Sequence, residues 1–337
     1  MSRLGGQGAL NAHQPLVTPS SFAFGPIVSC VLVTGSSTGI GSATVGIFAR
    51  KGWTVFAGVR NELDGQRLVK DNSGLNVVPV LLDVTSPDLV RTAFETIVSH
   101  PVGRHGLHAL VNNAGQFLLG PIESLPIGEW RQLFEVNFFG LFDVTQVFLP
   151  LIHKVNGRII NIGSVGGRIT QPLCGVYTAT KFALSSANDA LRMELGKQGP
   201  KVILIEPGVV STPLVEKAMG SYDRAVSQIP KPCSARYVPA LKAFTKTSRV
   251  LLRSAITSDD VATIVHKAAT VLYPSPRYLI GRDAYLLVAL KCLLPTKWLD
   301  SLLRRVMRLH KNFEVESAPP ASACTTILPQ QTRQLAP

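Results

Sequence analysis

Short apolar runs alternate with longer stretches of helical spacing along most of the chain. The runs rich in β-forming residues are 31–34, 54–59, 77–82, 107–111, 158–162, 202–205 and 278–280. Between them, apolar side chains recur every three or four positions, as in residues 40–51 and 87–99. Continuous apolar strands that alternate with helices are typical of a parallel sheet covered on both faces. The pattern therefore predicts an α/β fold with a doubly wound parallel sheet.

The same pattern predicts how the chain is divided. Residues 1–27 are rich in Gly, Pro, Ser and Gln without a steady period, which predicts a flexible N-terminal extension. A single α/β domain is predicted over residues 28–283. Within it, residues 208–257 hold several prolines and basic residues, which favours an insertion at the carboxyl edge of the sheet, where ligands bind. Amphipathic helices are predicted over residues 284–312, and a disordered tail over residues 313–337.

Composition narrows the classes of function. Of the 337 residues, 46% are hydrophobic and 16% charged, which is a globular composition. The net charge of +13 permits an anionic partner such as a nucleic acid, a membrane surface or a cofactor. We find no nucleic-acid module and no stripe of interleaved aromatic and basic residues, so no nucleic-acid partner is predicted. The five scattered cysteines form no CxxC pair or Cys/His cluster, which predicts reduced thiols and no metal site.

The sequence also bears on location. The first 20 residues lack the charged-then-apolar order of a secretory signal. The longest apolar stretch near the C-terminus, residues 284–294, is broken by Lys291. It is shorter than the roughly 18 apolar residues that a membrane span needs. We therefore expect a cytoplasmic protein without an integral membrane segment.

The first predicted strand runs into a glycine-rich turn and then into a helix. The glycines are Gly35, Gly39 and Gly41, with Ser37 and Ile40 between them. Glycine lets the backbone turn sharply and approach a phosphate group without a Cβ clash. The N-terminus of the following helix offers free N–H groups to an anion. A tight turn with no ligand is the simpler alternative, but a strand before it and a helix after it favour a dinucleotide site.

The ends of the next two strands concern the adenosine half of that cofactor. No acidic residue closes the second strand, where Arg60 follows Gly58 and Val59. An acid there would bind the ribose hydroxyls, whereas a guanidinium can pair with a 2′-phosphate. NADP(H) is therefore the preferred cofactor, with NAD(H) as the alternative and a solvated surface Arg60 as the simplest interpretation. Asp83, after the third strand, accepts a bond from the adenine amino group or caps the next helix.

Three later segments carry candidate chemistry. The fourth strand ends in a small polar turn that contains Asn113 and Ala114, and the fifth ends at Ser164. Tyr177 and Lys181 follow in Y-T-A-T-K on a helical pattern, so their i, i+4 spacing places them on one face. A free phenol has a pKa of about 10, which is too high for a base at neutral pH. The Lys181 ammonium and an oxidised nicotinamide are expected to lower the pKa of Tyr177, while Ser164 holds the substrate oxygen.

Taken together, these motifs resemble the short-chain dehydrogenase/reductase family, with its TGxxxGxG, NNAG and S…YxxxK pattern. The resemblance covers residues 29–282 and implies a Rossmann-like domain with a seven-stranded sheet. It also implies that Ser164, Tyr177 and Lys181 are catalytic and that Lys181 contacts the nicotinamide ribose. Asn137 matches the family's asparagine that holds a water in the proton relay.

The resemblance assigns further cofactor contacts. Pro207, Gly208 and Thr212 match the segment that contacts the nicotinamide carboxamide, and Asn113 with Ala114 matches residues that flank the adenosine ribose. Within the family, the chain is similar to the hydroxysteroid and retinol dehydrogenase branches. The expected activity is therefore the NADP(H)-dependent interconversion of a secondary alcohol and a ketone on a small apolar molecule, by a homodimer or homotetramer. An NAD-dependent relative acting on a hydroxy acid or retinol, and a non-catalytic cofactor-binding scaffold, are the alternatives.

The C-terminal segment is predicted to form two helices broken at Pro295. Leu302, Leu303, Val306 and Leu309 share one face of the second helix, and basic residues surround it. Such a helix either lies in a membrane interface or packs its leucine face on the domain or on a second subunit.

Overall fold

The computed structural model describes residues 29–214, 222–229 and 231–306. Within them, seven parallel strands form one sheet in the order β3-β2-β1-β4-β5-β6-β7. The strands are β1 Cys30–Val33, β2 Thr54–Val59, β3 Val77–Leu81, β4 Ala109–Asn112, β5 Arg158–Ile162, β6 Lys201–Pro207 and β7 Arg277–Ile280. The predicted Rossmann-like doubly wound sheet is confirmed, as a single domain with C-terminal helices. The predicted extension over 1–27 and tail over 313–337 lie outside the described residues.

Helices connect the strands and extend the domain at its C-terminal end. They are α1 Gly39–Arg50, α2 Glu62–Asp71, α3 Pro87–Ser99, α4 Ile127–Phe134, α5 Gly140–Lys154, α6 Gly175–Leu195, α7 Tyr222–Ser227, α8 Lys231–Leu252, α9 Ser258–Thr270, α10 Arg282–Leu293 and α11 Thr296–Val306. A π-helical turn, Glu135–Phe139, joins α4 to α5. A short 3₁₀ turn, Val165–Gly167, follows β5.

The core lies on both faces of the sheet. Because successive side chains of a strand point to opposite faces, Val31 and Val33 of β1 belong to one core cluster, and Leu32 belongs to the other. Helices α1 and α9 cover the first face, and α3 and α5 cover the second. This double coverage explains why the strands of the sequence read as continuous apolar runs.

The longest apolar helical stretch belongs to this core. By length and composition, Ile127–Lys154 is the one stretch of the described residues that could cross a membrane. Its residues Val144, Phe148, Leu151 and Ile152 are buried against the sheet in the second core cluster. The stretch therefore has a packing role within the domain.

The region between β6 and α9 is more helical than its sequence pattern indicates. Residues 208–257 show no steady period, yet α7 and the 22-residue α8 lie there. Pro239 lies inside α8, so the usual helix-breaking signal obscures this helix. Helix α9 begins at Ser258, and its N-cap is Thr257. The Thr257 hydroxyl accepts from the Asp260 amide at 3.1 Å, and the Asp260 carboxylate accepts from the Thr257 amide at 2.8 Å.

The C-terminal helices pack on the domain. Helix α10 ends at Leu293 and α11 begins at Thr296, on either side of Pro295. Leu299 and Leu303 of α11 are buried with Val165, which lies in the 3₁₀ turn, and with Ile169. Of the predicted leucine face, Leu303 therefore packs on the domain, while Leu302 is half-buried and Val306 is 48% exposed. Residues 307–312 of the predicted segment lie outside the described residues.

The sheet order places one crevice at the carboxyl ends of the strands. Strands β1 and β4 are neighbours, so the connections after them leave in opposite directions. Such a switch point is where ligands bind in open α/β sheets.

Candidate active site

The glycine-rich turn between β1 and α1 is built to hold an anion. Gly35 has φ +63°, and a Cβ on Gly41 would lie only 2.2 Å from the Gly35 carbonyl oxygen. Only glycine fits at Gly41, which lets the turn fold tightly onto the start of α1. The first turn of α1 carries no acidic residue, and the Thr38 side chain makes no capping bond. The N–H groups of this helix end therefore face the crevice free to bind a phosphate.

Asn113 and Ala114 hold this turn in place. The Thr34 hydroxyl accepts hydrogen bonds from the amides of Asn113 at 3.0 Å and Ala114 at 2.9 Å. The Asn113 side-chain amide in turn donates to the carbonyls of Thr34 and Gly35, both at 2.9 Å. Both predicted residues line the crevice, as do Ser37, Gly39 and Ile40. The contacts show that Asn113 joins the end of β4 to the phosphate-binding turn.

Charged side chains surround the adenosine end of the crevice. Arg60 is exposed at the end of β2 and lines the crevice. Asp83 lines it too, and its carboxylate accepts from the amide of Thr85 at 2.9 Å and from the hydroxyl of Thr85 at 2.8 Å. The alternative that Asp83 caps the next helix is wrong, because Ser86 is the cap of α3.

Two charged residues at this end are absent from the sequence prediction. The Arg67 guanidinium donates to the Ser37 carbonyl and to the Asp64 carboxylate, both at 2.8 Å. Arg67 and Asp64 both line the crevice. Their i, i+3 spacing at the start of α2, directly after β2, is the only sequence signal that points to them.

Ser164, Tyr177 and Lys181 meet at the inner end of the crevice. Ser164 follows β5, and its hydroxyl accepts from the Gly166 amide at 3.0 Å. Tyr177 and Lys181 lie on α6, with the Lys181 Nζ 5.9 Å from the centre of the Tyr177 ring. The Lys181 ammonium donates to the carbonyl of Ile162 at 2.9 Å. The structure thus brings together the three side chains that the sequence pairs only by motif.

Burial has the largest effect on the pKa values of Tyr177 and Lys181. Desolvation raises the pKa of Tyr177 to about 12, against a lowering effect of the hydrogen bond with Ser164. Desolvation also lowers the pKa of Lys181 to about 8. Within the protein alone the phenol pKa is therefore raised, since the phenol is desolvated and the Lys181 ammonium is directed at the Ile162 carbonyl. The expected lowering by Lys181 together with an oxidised nicotinamide stays a prediction. Tyr177 is a neutral phenol at neutral pH, ready to donate a proton.

Asn137 lies behind the crevice, fully buried in the π-helical turn. Its amide accepts from the backbone N–H of Gln116 at 2.8 Å and donates to the Gln116 carbonyl at 2.9 Å. It also donates to the Thr180 hydroxyl at 3.1 Å. These bonds connect α6, one residue before Lys181, with the segment that follows β4. The predicted role of Asn137 in a proton relay stays a prediction.

The segment after β6 closes the crevice on the opposite side. Pro207, Gly208 and Thr212 line it, and Thr212 is buried across from Gly39. The Asp283 carboxylate accepts from the Val209 amide at 2.7 Å and fills the space beside Gly208. The predicted nicotinamide-side residues thus face the phosphate-binding turn.

One cavity of about 1150 Å³ joins this crevice to an apolar chamber. The chamber is lined by residues from the segment after β4, from the segment after β6 and from α8: Phe117, Leu119, Val210, Leu214, Phe244 and Leu251. Cys174 lines it as well, and burial raises the pKa of its thiol to about 12, so the thiol is protonated. Tyr177 and Ser164 line the same cavity.

The comparisons with known proteins agree with this geometry. The family model for short chain dehydrogenase matches residues 29–222. The chain is 34% identical to estradiol 17-beta-dehydrogenase 2 of Mus musculus over 82% of its own length and 74% of that protein.

The chain belongs to the short-chain dehydrogenase family.

Two further likenesses extend this result. The dehydrogenase is 32% identical to retinol dehydrogenase 16 of Mus musculus over 81% of its own length and 87% of that protein. A short-chain dehydrogenase from Streptomyces avermitilis has the same fold, with a TM-score of 0.65 at 25% identity over 84% of this chain and 96% of that one. The chain is accordingly an NAD(P)-dependent oxidoreductase acting on CH–OH groups of small alcohol or carbonyl substrates.

Proposed function

We propose that this dehydrogenase interconverts a secondary alcohol and a ketone on an apolar substrate such as a steroid or a retinoid, with NADP(H) as its preferred cofactor. One observation carries the proposal. The Tyr177 phenol, hydrogen-bonded with Ser164, lines the same cavity as the anion-binding turn and the apolar side chains of the chamber. A substrate in the chamber would present its oxygen to both hydroxyls, while a dinucleotide fills the crevice.

The residues of the crevice fit the cofactor. The glycine turn and the start of α1 suit the pyrophosphate. Arg60 and Arg67 place two guanidinium groups at the adenosine end, which supports a 2′-phosphate. Of the carboxylates at this end, Asp64 is already paired with Arg67, and Asp83 already accepts from Thr85. NAD(H) is the alternative, and it would require the Asp64 carboxylate to bind the ribose hydroxyls instead of Arg67.

Side chains of this protein carry out the proton transfer to the substrate oxygen. When bound, the nicotinamide supplies or accepts the hydride. In carbonyl reduction, the neutral Tyr177 phenol donates its proton to the substrate oxygen, and the Ser164 hydroxyl holds that oxygen in place. Lys181, with a pKa of about 8, is mostly charged at neutral pH and faces the cofactor ribose in this proposal. A phenol with a pKa of about 12 suits the reductive direction at neutral pH.

The substrate class is inferred from the chamber. Phe117, Leu119, Val210, Leu214, Phe244 and Leu251 contribute apolar side chains to it. Burial of an apolar molecule against these side chains is favourable. The names of two relatives, an estradiol and a retinol dehydrogenase, support the same class.

Purified protein should be assayed with NADPH and with NADH against steroids, retinoids, quinones and keto esters. Consumption of NADPH with an apolar ketone is the expected result. Faster turnover with NADH would favour the NAD-dependent alternative. Tight cofactor binding without turnover of any substrate would favour a cofactor-binding scaffold and refute the proposed activity.

We further propose that the dehydrogenase contacts membranes at its periphery through α10 and α11. Tyr285, Leu286, Leu293 and Trp298 are 61%, 60%, 79% and 69% exposed, although they are large and apolar. Basic residues flank them: Lys297, Arg304 and Arg305. An exposed apolar surface beside these basic residues suits an anionic lipid interface, with a Trp at headgroup depth. An apolar substrate dissolved in the membrane would then enter the active site directly from the lipid.

Vesicle flotation tests this contact. The full chain should float with phosphatidylserine-containing vesicles at low salt, and L293E/W298E should remain in the soluble fraction. The control is L63E, which changes a side chain that is 76% exposed on α2, at the opposite edge of the sheet. Equal flotation of all three proteins, or no flotation of the full chain, would contradict the proposal.

A homodimer or homotetramer is proposed as the working assembly. Phe139 and Phe182 are 53% and 37% exposed on the outside of the helices that cover one face of the sheet. A second copy would bury such side chains. Light scattering on a sizing column measures the mass, and a monomer at micromolar concentration would contradict this assembly.

A further inference from the structure

A fully buried carboxylate lies behind the active site. Glu206, at the end of β6, is 0% exposed. Arg168 donates from Nε and Nη2 to the two Glu206 carboxylate oxygens at 2.8 and 2.6 Å, and Arg277 donates to one of them at 2.8 Å. Desolvating a carboxylate is costly unless it is paired with good geometry, and the bidentate Arg168 pair has that geometry.

Arg168 directly follows the 3₁₀ turn Val165–Gly167, and Ser164 directly precedes it. The 3₁₀ turn begins with Ser164 as its cap, and the Arg168 amide donates to the Val165 carbonyl at 2.9 Å. A 3₁₀ turn of three residues has few hydrogen bonds of its own, so it depends on outside contacts for its position. The Arg168 side chain supplies such a contact by fixing the end of the turn to Glu206.

The same cluster reaches the helix of Tyr177. Arg277 donates to the Ser185 hydroxyl at 2.9 Å and pairs with Asp189, both on α6. The turn and α6 are also in direct contact, because a Cβ on Gly167 would lie 2.7 Å from the carbonyl oxygen of Lys181. A small shift of the turn would therefore change the distance between the Ser164 and Tyr177 hydroxyls.

The outer side of the turn is covered by the C-terminal helices. Val165 and Ile169 pack on Leu299 and Leu303 of α11. Lys291 of α10 hydrogen-bonds the carbonyl of Arg168. These contacts limit the solvent that reaches the pair with Glu206 and strengthen its electrostatic attraction.

We infer that Arg168 is a positioning residue, whose pair with Glu206 holds the Ser164 hydroxyl against the Tyr177 phenol. This inference rests on the proposed catalytic roles of Ser164 and Tyr177. It adds that the buried pair governs the geometry of the reaction without touching the substrate or the cofactor.

The test is R168K, which keeps the charge but loses the two-pronged geometry. We expect kcat to fall about 10- to 100-fold, because small misplacements of reacting groups have effects of that size. The dissociation constant for NADPH should not change. In alcohol oxidation, the acidic limb of the kcat profile should move to higher pH, because the Ser164 hydrogen bond lowers the pKa of Tyr177. The other titratable groups that face the phenol, Cys174 and Lys181, are unaltered.

R91K is the matched control. Arg91 pairs with Asp88 at 3.9 Å on the exposed side of α3, so it undergoes the same chemical change outside the Glu206 cluster. It should keep the wild-type kcat and pH profile. If R168K does not fold, G167A provides a second variant that moves the turn without altering a charge, and the same loss of kcat is expected.

A double-mutant cycle decides the mechanism. If Arg168 acts through Ser164, then R168K should cause no further loss of kcat in an S164A background. Independent, multiplying losses would overturn the inference, as would a wild-type kcat and pH profile for R168K or G167A with only a lower melting temperature. A fully active Y177F would instead refute the proposed function itself, so the two failures are distinguishable.

Discussion

Replacing Tyr177 with Phe is expected to lower kcat at least about a hundredfold, the usual contribution of general acid–base catalysis. Phe keeps the ring, which packs 4.7 Å from the ring of Phe117, but it removes the proton that the substrate oxygen receives. Cofactor binding should survive, because the ring is retained. The measurements are kcat with the best ketone of the substrate panel and NADPH affinity by fluorescence.

Tyr273 offers a matched control for that experiment. Its side chain is 88% exposed outside the cavity, so Y273F loses a hydroxyl without touching the site. It should turn over at the wild-type rate. Activity of Y177F equal to that of Y273F would mean that another group donates the proton.

The second large effect is expected from R60D. The substitution removes a guanidinium from the adenosine end of the crevice and adds a carboxylate that repels a 2′-phosphate. A hydrogen bond with a charged group contributes about 2 kcal/mol, which is about a 30-fold weaker dissociation constant for NADPH. Affinity for NADH should change little, so the cofactor preference should reverse.

Titration of R60D with both cofactors measures this effect. R104D is the control, because Arg104 is also exposed and lies in the segment before β4, away from the residues that line the crevice. It carries the same charge change, which separates a local contact from the effect of net charge. Equal losses in both variants would show that Arg60 does not contact the 2′-phosphate.

The strands and the motif residues could be predicted from the sequence because each depends on residues that are close together along the chain. A strand buried on both faces must be a short apolar run, so β2 and β5 coincide with the predicted ranges 54–59 and 158–162. The glycines before α1 and the i, i+4 spacing of Tyr177 and Lys181 are local features as well. Their shared place at one edge of the sheet follows from the parallel order of the strands.

Contacts between distant segments were decided only by the tertiary structure. Glu206 meets Arg168 and Arg277 across 38 and 71 positions of the chain, and no spacing rule relates such residues. The bond of Arg67 to the Ser37 carbonyl spans 30 positions in the same way. The sequence predicts an amphipathic helix that includes Leu303, but only the fold shows that Leu303 and Leu299 cover Val165 and Ile169.

The pKa of Tyr177 and the length of α8 show most clearly what the sequence determines and what the tertiary structure decides. The sequence shows Lys181 beside Tyr177, and from that charge a lowered phenol pKa is the natural expectation. Burial acts in the opposite direction, because the loss of water around the phenolate is the largest effect on its pKa, while the Lys181 ammonium donates to the Ile162 carbonyl. Likewise, α8 continues through Pro239 since its apolar side chains Leu241 and Phe244 are buried against the chamber wall. Local spacing thus determined which groups could act, while desolvation and long-range packing decided how they ionise and where they are held.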